Sequence, residues 1–264
     1  MKHRTLFLRT LPFIIFIISQ FISIYSAEAQ GGPPMITDDS DTPGDGKWEN
    51  NFGFAFEGSK NDYRKIFPAI DINRGIGEHI QVKAELNWVA EKGENLANTF
   101  DNLTLGFKYS FLDEKEAGFS FSLYPQPIIS FNSEDGNKSA ALGVILPAAI
   151  SKEIEGFGCN FQAGYQVLGK KSELFFGLCI EHEFGKSLTL LGELHSTFGR
   201  TKDLLTSGDE ETFFKAGTFI NIGAHIKLSD DYIILTAIGK DLESSLISSD
   251  DANFYGYIGL QLLM

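Results

Sequence analysis

From Ile80 the chain alternates, with Ile80, Val82, Ala84, Leu86, Trp88 and Ala90 on one parity and Gln81, Lys83, Glu85 and Asn87 on the other. A period of two marks an extended strand, whose successive side chains point to opposite faces. The pattern recurs at Leu103, Leu105, Phe107, Tyr109 and Phe111 against Thr104, Gly106, Lys108 and Ser110. It returns at Phe119, Phe121 and Leu123 against Ser120, Ser122 and Tyr124, and over Phe214 to Leu228 against Lys215, Gly217, Phe219, Asn221, Gly223, His225 and Lys227. Such segments fall near 47–57, 66–74, 79–90, 100–111, 118–132, 139–152, 158–168, 173–183, 188–199, 212–227, 232–241 and 252–264, about twelve in all. Several are eleven residues or longer. Strands of soluble domains cluster near about five or six, whereas a tilted membrane strand needs about 9–11.

Alternation alone does not say which face meets water, because a soluble all-β secreted protein also alternates. The kind of polar residue separates the two. The polar parity is mild, as in Asn160, Gln162, Gly164 and Gln166, while charge gathers in the connections Asp113-Glu114-Lys115-Glu116 and Asp209-Glu210-Glu211. The apolar parity is therefore assigned to lipid and the polar parity to a lumen. The expected fold is all-β: a transmembrane antiparallel up-and-down β-barrel of about 12 strands. The connections at 75–78, 112–117, 153–157, 184–187 and 229–231 are short, and those at 58–65, 91–99, 133–138, 169–172, 200–211 and 242–251 are longer on the whole, as periplasmic turns and outer loops are. Trp48, Tyr109, Phe111, Phe119, Phe184 and Tyr232 near one set of strand ends, and Trp88, Phe100, Phe131, Phe198 and Phe214 near the other, suit two interfacial girdles.

The first residues add a destination. Lys2, Arg4 and Arg9 precede an apolar stretch from Leu11 to Ile24, followed by Ala27-Glu28-Ala29. This is the layout of a cleavable secretory leader, shorter than a membrane-spanning helix. The chain thus divides into 1–29, a signal peptide for Sec export; 30–46, an acidic Pro/Gly-rich segment; and 47–264, the barrel in the cell outer membrane. The full chain carries a net charge of −13, and losing the leader makes it more negative, which disfavours nucleic acid as a partner. The mature chain holds no apolar run of about 18 residues, so any membrane crossing must use strands. Outer-membrane lipid and lipopolysaccharide are the expected surroundings. The last strand, with Ile258, Leu260, Leu262 and Met264 on one face, looks like the terminal strand that barrel-assembly machinery recognises, although it ends in Met instead of Phe.

Just after the leader stand Pro33-Pro34-Met35-Ile36-Thr37-Asp38-Asp39-Ser40-Asp41-Thr42-Pro43-Gly44-Asp45-Gly46-Lys47-Trp48-Glu49. This stretch resembles the opening of the outer-membrane barrel family named for the meta pathway of phenol degradation, with Ser40 where Pro or Ala is expected. The resemblance implies a transporter barrel passing small, aromatic solutes. Read physically, Asp38, Asp39, Asp41 and Asp45 among turn residues are candidate calcium ligands, but Pro43 breaks the EF-hand spacing. The plainer expectation is an acidic lead-in that covers the periplasmic mouth.

Catalysis has little to work with. His195 and Ser196 point to opposite faces. Cys159 and His182 share a parity, and a four-residue loop at 169–172 would set them opposite each other, a Cys-His couple that nothing activates. The same register puts Cys159 and Cys179 on opposite faces, so no disulfide is expected. No cofactor motif appears: the Gly-rich fragments lack a following Gly-Lys-Ser/Thr. The lumen-lining candidates are Lys83, Glu85, Lys108, Tyr124, Glu181, Glu193, His195, Lys215, Phe219, His225, Tyr255 and Tyr257. Most of the charged ones are expected to pair across strands, and the aromatics to line an amphipathic path, with the small Gly106, Gly164, Gly177, Gly217 and Gly223 leaving space beside them. These residues point to a passive channel for small, aromatic or amphipathic solutes. The alternatives are a structural or adhesin-like barrel without an open pore, and an outer-membrane hydrolase.

Overall fold

The computed structural model describes residues 32–58, 63–92, 98–131, 141–169, 171–201, 212–242 and 254–264. The signal-peptide assignment lies outside them. These described residues form thirteen strands: β1 (Trp48–Gly58), β2 (Tyr63–Ile76), β3 (Ile80–Lys92), β4 (Asn98–Leu112), β5 (Ser120–Leu123), β6 (Gln126–Ser130), β7 (Ala141–Ile154), β8 (Phe157–Leu168), β9 (Lys171–Phe184), β10 (Leu188–Thr201), β11 (Thr212–Lys227), β12 (Tyr232–Asp241) and β13 (Phe254–Leu263). One helical turn, α1 (Glu114–Ala117), is capped by the Asp113 side chain, which accepts from the Lys115 amide, and by Gly118 in the left-handed region.

β5 and β6 are one barrel stave in two pieces, lying side by side with β4 and β7. The expected strand at 118–132 is therefore interrupted. Pro125 has no amide to donate to a ladder; instead its carbonyl accepts from the Phe107 amide at 3.1 Å, and the Tyr124 amide donates to the Pro147 carbonyl at 3.0 Å. Twelve staves remain. Each pairs antiparallel with its neighbours in the chain, and β1 closes on β13 from Glu49↔Leu263 to Gly58↔Phe254. At the seam the Trp48 amide donates to the Met264 carbonyl at 2.7 Å, and the Met264 amide donates back at 3.0 Å. A closed sheet leaves no unpaired edge, which hydrocarbon would not tolerate.

The faces are sorted as the alternation implies. In β11 Ile222 is 65% exposed, while its neighbour Asn221 is 1% exposed. Phe107, Phe161, Leu178 and Ile258 point outward; Asn51, Gln81, Asn160 and Gln261 are buried inward. A soluble sandwich would bury the first set, so the outer face belongs to lipid. Connections at the end holding Trp48 and Met264 are tight. Ile154 and Phe157 pair across Glu155 and Gly156, both with positive φ (52° and 82°), as a two-residue hairpin turn requires.

The β8–β9 register corrects one expectation. Leu168 pairs with Lys171, so the hairpin is tighter than a four-residue loop, and Cys159 faces Ile180 while His182 faces Phe157. The Cys159–His182 couple is not assembled. His182 stacks on Phe157 at 4.5 Å and binds the Gly156 carbonyl through Nδ1 at 2.7 Å. The two-residue slip preserves parity, so Cys179 is buried inside, Cys159 lies on the outer face, and both are free.

Candidate functional site

The N-terminal segment does more than cover the mouth: residues 32–46 run up inside the barrel. Met35 sits in the interior cluster with Ala55, Cys179, Leu191, Leu235, Ala237 and Tyr257. Past it the chain is held by its backbone. The Glu193 carboxylate accepts from the Ile36 amide at 3.0 Å, the Thr37 amide at 2.5 Å and Asn221 Nδ2 at 2.5 Å. The Asp38 amide donates to Gln162 Oε1 at 3.4 Å, and the Ser40 amide to Ser151 Oγ at 3.0 Å. Hydrogen bonds to a charged acceptor contribute about 1.5–3 kcal/mol each, so Glu193 alone is a firm anchor. Tyr255 donates to the Pro34 carbonyl at 3.4 Å.

Lys108 holds the acidic stretch. Its Nζ lies 3.2 Å from both Asp38 Oδ1 and Asp39 Oδ1 and 3.1 Å from the Asp41 carbonyl, with the Tyr124 ring 5.0 Å away. The four aspartates are therefore not gathered round one ion. An ammonium of the protein neutralises two of them, and Asp45 caps the first turn by accepting from the Gly77 amide at 2.8 Å. Among the described residues no group of three or more His, Cys, Asp or Glu is arranged to hold a metal. Burial pushes the Asp41 carboxyl up to about 7, with the Asp39 charge adding to the effect and Lys108 and the Ser120 hydroxyl opposing it. The segment leaves the lumen where the Gly44 carbonyl presses on Gly75 so closely that any Cβ there would overlap it.

The inward glycines prove to be seats, which corrects their reading as open space. A Cβ on Gly177 would overlap Thr37 Oγ1, and one on Gly223 would overlap Met35 Cε. Gly106 is covered by Tyr124 and Gly164 by Phe175. Only around Gly217, whose nearest neighbour is Phe219 at 3.4 Å, is contact ordinary.

The remaining candidates spread over the interior wall. Lys83 bridges Asp71 (3.5 Å) and Glu85 (3.2 Å), and Glu85 also accepts from Asn87 at 2.8 Å. The buried Tyr124 accepts from Gln81 at 3.2 Å. His195 stacks with Phe175 at 6.1 Å, Glu181 is buried over Gly158, and Tyr257 lies across Gly53 and Gly259. The Lys215 side chain lies outside the described residues. Asp71 and Asn51, joined by a 3.3 Å hydrogen bond, belong to the same wall but were not among the candidates. The parity rule applied to β1 and β2 places both inward and could have found them.

Among the described residues, two cavities flank the segment in the lumen. One, of about 370 Å³, lies toward the long connections, between Ile36, Ile66, Asn87, Gln166, Phe175, His195, Tyr255 and Tyr257. The other, of about 740 Å³, opens beside Trp48, Glu78, His79 and Met264 at the short-turn end. Gly32, Pro33, Asp38, Asp71 and Lys83 line both, which puts the boundary between the cavities at the β2–β3 wall.

No known protein-family model matches the sequence, and no curated protein matches it significantly. Solved structures do. An outer membrane channel from Pseudomonas putida F1 superposes with a TM-score of 0.66 at 12% identity, covering 89% of this chain and 100% of that one. The NanC porin does so with a TM-score of 0.53 at 10% identity, over 81% and 98%. At such identities the likeness speaks for architecture alone: the chain has the fold of the outer-membrane channel and porin β-barrels.

Proposed function

We propose that this protein is an outer-membrane channel for small solutes, with residues 32–46 as a lumenal plug and the route running past Asp38, Lys83 and Asp71. The observation that carries this is the pair of cavities meeting at that wall, while the opposite wall is closed by Met35 in its apolar cluster. The upper cavity combines Tyr255, Tyr257, Phe175 and Ile66 with Gln126, Gln162 and Asn87, which suits amphipathic or aromatic solutes. The resemblance of residues 33–49 to the phenol meta-pathway barrels favours the same class. In this reading the leader directs Sec export, β13 presents the signal for barrel assembly, and the short-turn end faces the periplasm.

The test is permeation. Purified protein in liposomes should admit small amphipathic solutes slowly, and removal of residues 32–46 should raise the rate severalfold while the heat-modifiable gel mobility of a folded barrel persists. Liposomes that stay tight to every small solute even without the plug would leave a structural wall as the better reading.

A further inference from the structure

We propose that the passage selects cations and that the boundary between its cavities is a binding position for the ammonium head of a small organic cation. The proposal rests on the channel reading and adds the charge of the solute to it. The upper cavity is lined by Asp71, Glu85 and Glu173 against the single ammonium of Lys83, with Asp38, also on its wall, already paired to Lys108. The lower cavity continues the same sign, with ten acidic side chains against four lysines. In a narrow bore walled by low-dielectric material, an excess of one sign concentrates counter-ions and repels co-ions.

Asn51, 1% exposed, gives its amide nitrogen to Asp71 and keeps Oδ1 without a donor. Asp71, 7% exposed, keeps Oδ1 without a hydrogen bond; Lys83 approaches that oxygen only as an ion-pair partner at 3.5 Å and stands nearer to Glu85. A buried acceptor lacking a donor, as Asn51 Oδ1 does, is costly in a folded interior. Both residues line the upper cavity, beside Tyr257. Asn51 Oδ1 lacks an N–H donor, and Asp71 Oδ1 has no hydrogen bond beside its 3.5 Å ion pair with Lys83. An ammonium supplies N–H donors to both, and the adjacent aromatic ring receives an apolar tail or the cation's own face. A carboxylate-bearing solute would meet acceptors and like charge at the same place.

The full chain in planar bilayers under a potassium chloride gradient should show a reversal potential of cation-selective sign. Asp71→Asn and, separately, Glu85→Gln should lower the cation-to-anion permeability ratio by about twofold or more, each variant being checked for heat-modifiable mobility. Phenethylammonium and phenylacetate, similar in size and opposite in charge, are the solute probes: phenethylammonium should enter liposomes faster and should reduce the potassium current, less so in Asp71→Asn. A conducting channel that prefers chloride, or that passes phenylacetate as fast, or whose selectivity neither substitution moves, would overturn the inference and leave the channel standing. Absence of any conductance would overturn both.

Discussion

At the scale of single residues, the plug is held by charges that the lumen would otherwise reject. Lys108 is needed because Asp38 and Asp39 are brought into a bore with little water, where an unpaired carboxylate is expensive. Asp41 has a weaker arrangement: Lys108 meets its carbonyl, while burial and the charges of Asp39 and Asp113 raise its carboxyl against the opposing pull of Lys108 and the Ser120 hydroxyl. A carboxyl raised from 3.8 to about 7 in the seated state binds its proton more tightly there than when released. The seated state is thus favoured by acid, and its advantage falls as pH rises from about 4 to about 7, then levels. Channel openings should accordingly be rarer at pH 5 than at pH 8, and Asp41→Asn should flatten that dependence. Single-channel records at the two pH values check it, and an unchanged dependence in the variant would count against Asp41.

At the scale of elements, the strands were legible because lipid on one side and a polar bore on the other force a strict period of two. Ile222 and Asn221 show how sharp the division is. Ile222→Arg, well inside the outer face of β11, should cost about 2–4 kcal/mol in refolding into lipid vesicles, against a small effect for Ile222→Leu. Denaturant titration of reversible folding measures it; an arginine tolerated at no cost would mean that this face is not in hydrocarbon. What periodicity could not give was register and breaks. The β8–β9 slip of two residues leaves every side chain on its own face, so the pattern is blind to it. The break at Pro125 was visible as a residue, but its consequence depends on Phe107 and Tyr124 finding partners elsewhere.

At the scale of the whole molecule, the plug was the part that sequence could not place. Residues 32–46 have no period, and their partners come from β4, β7, β8, β9, β10, β11 and β13, a set assembled only when the barrel closes. Closure itself rests on β13, which pairs with β12 on one side and β1 on the other. Removing residues 254–264 should therefore abolish the folded, heat-modifiable species outright instead of lowering its stability by degrees. A truncated chain that still migrates as a compact barrel would show that β1 and β12 can meet without it.

The crossing of Gly44 over Gly75 has a kinetic consequence. The segment passes that point and within a few residues becomes β1, so a segment that left the bore, as the proposed plug would, stays tethered to the barrel. Its return is an intramolecular event, at an effective concentration of order millimolar for so short a tether. On the plug reading, openings of the intact protein should be brief, each ended by the same segment that began it. A detached peptide of the same sequence, offered to a barrel lacking it, would have to be supplied at comparable concentration to do what the tether does unaided.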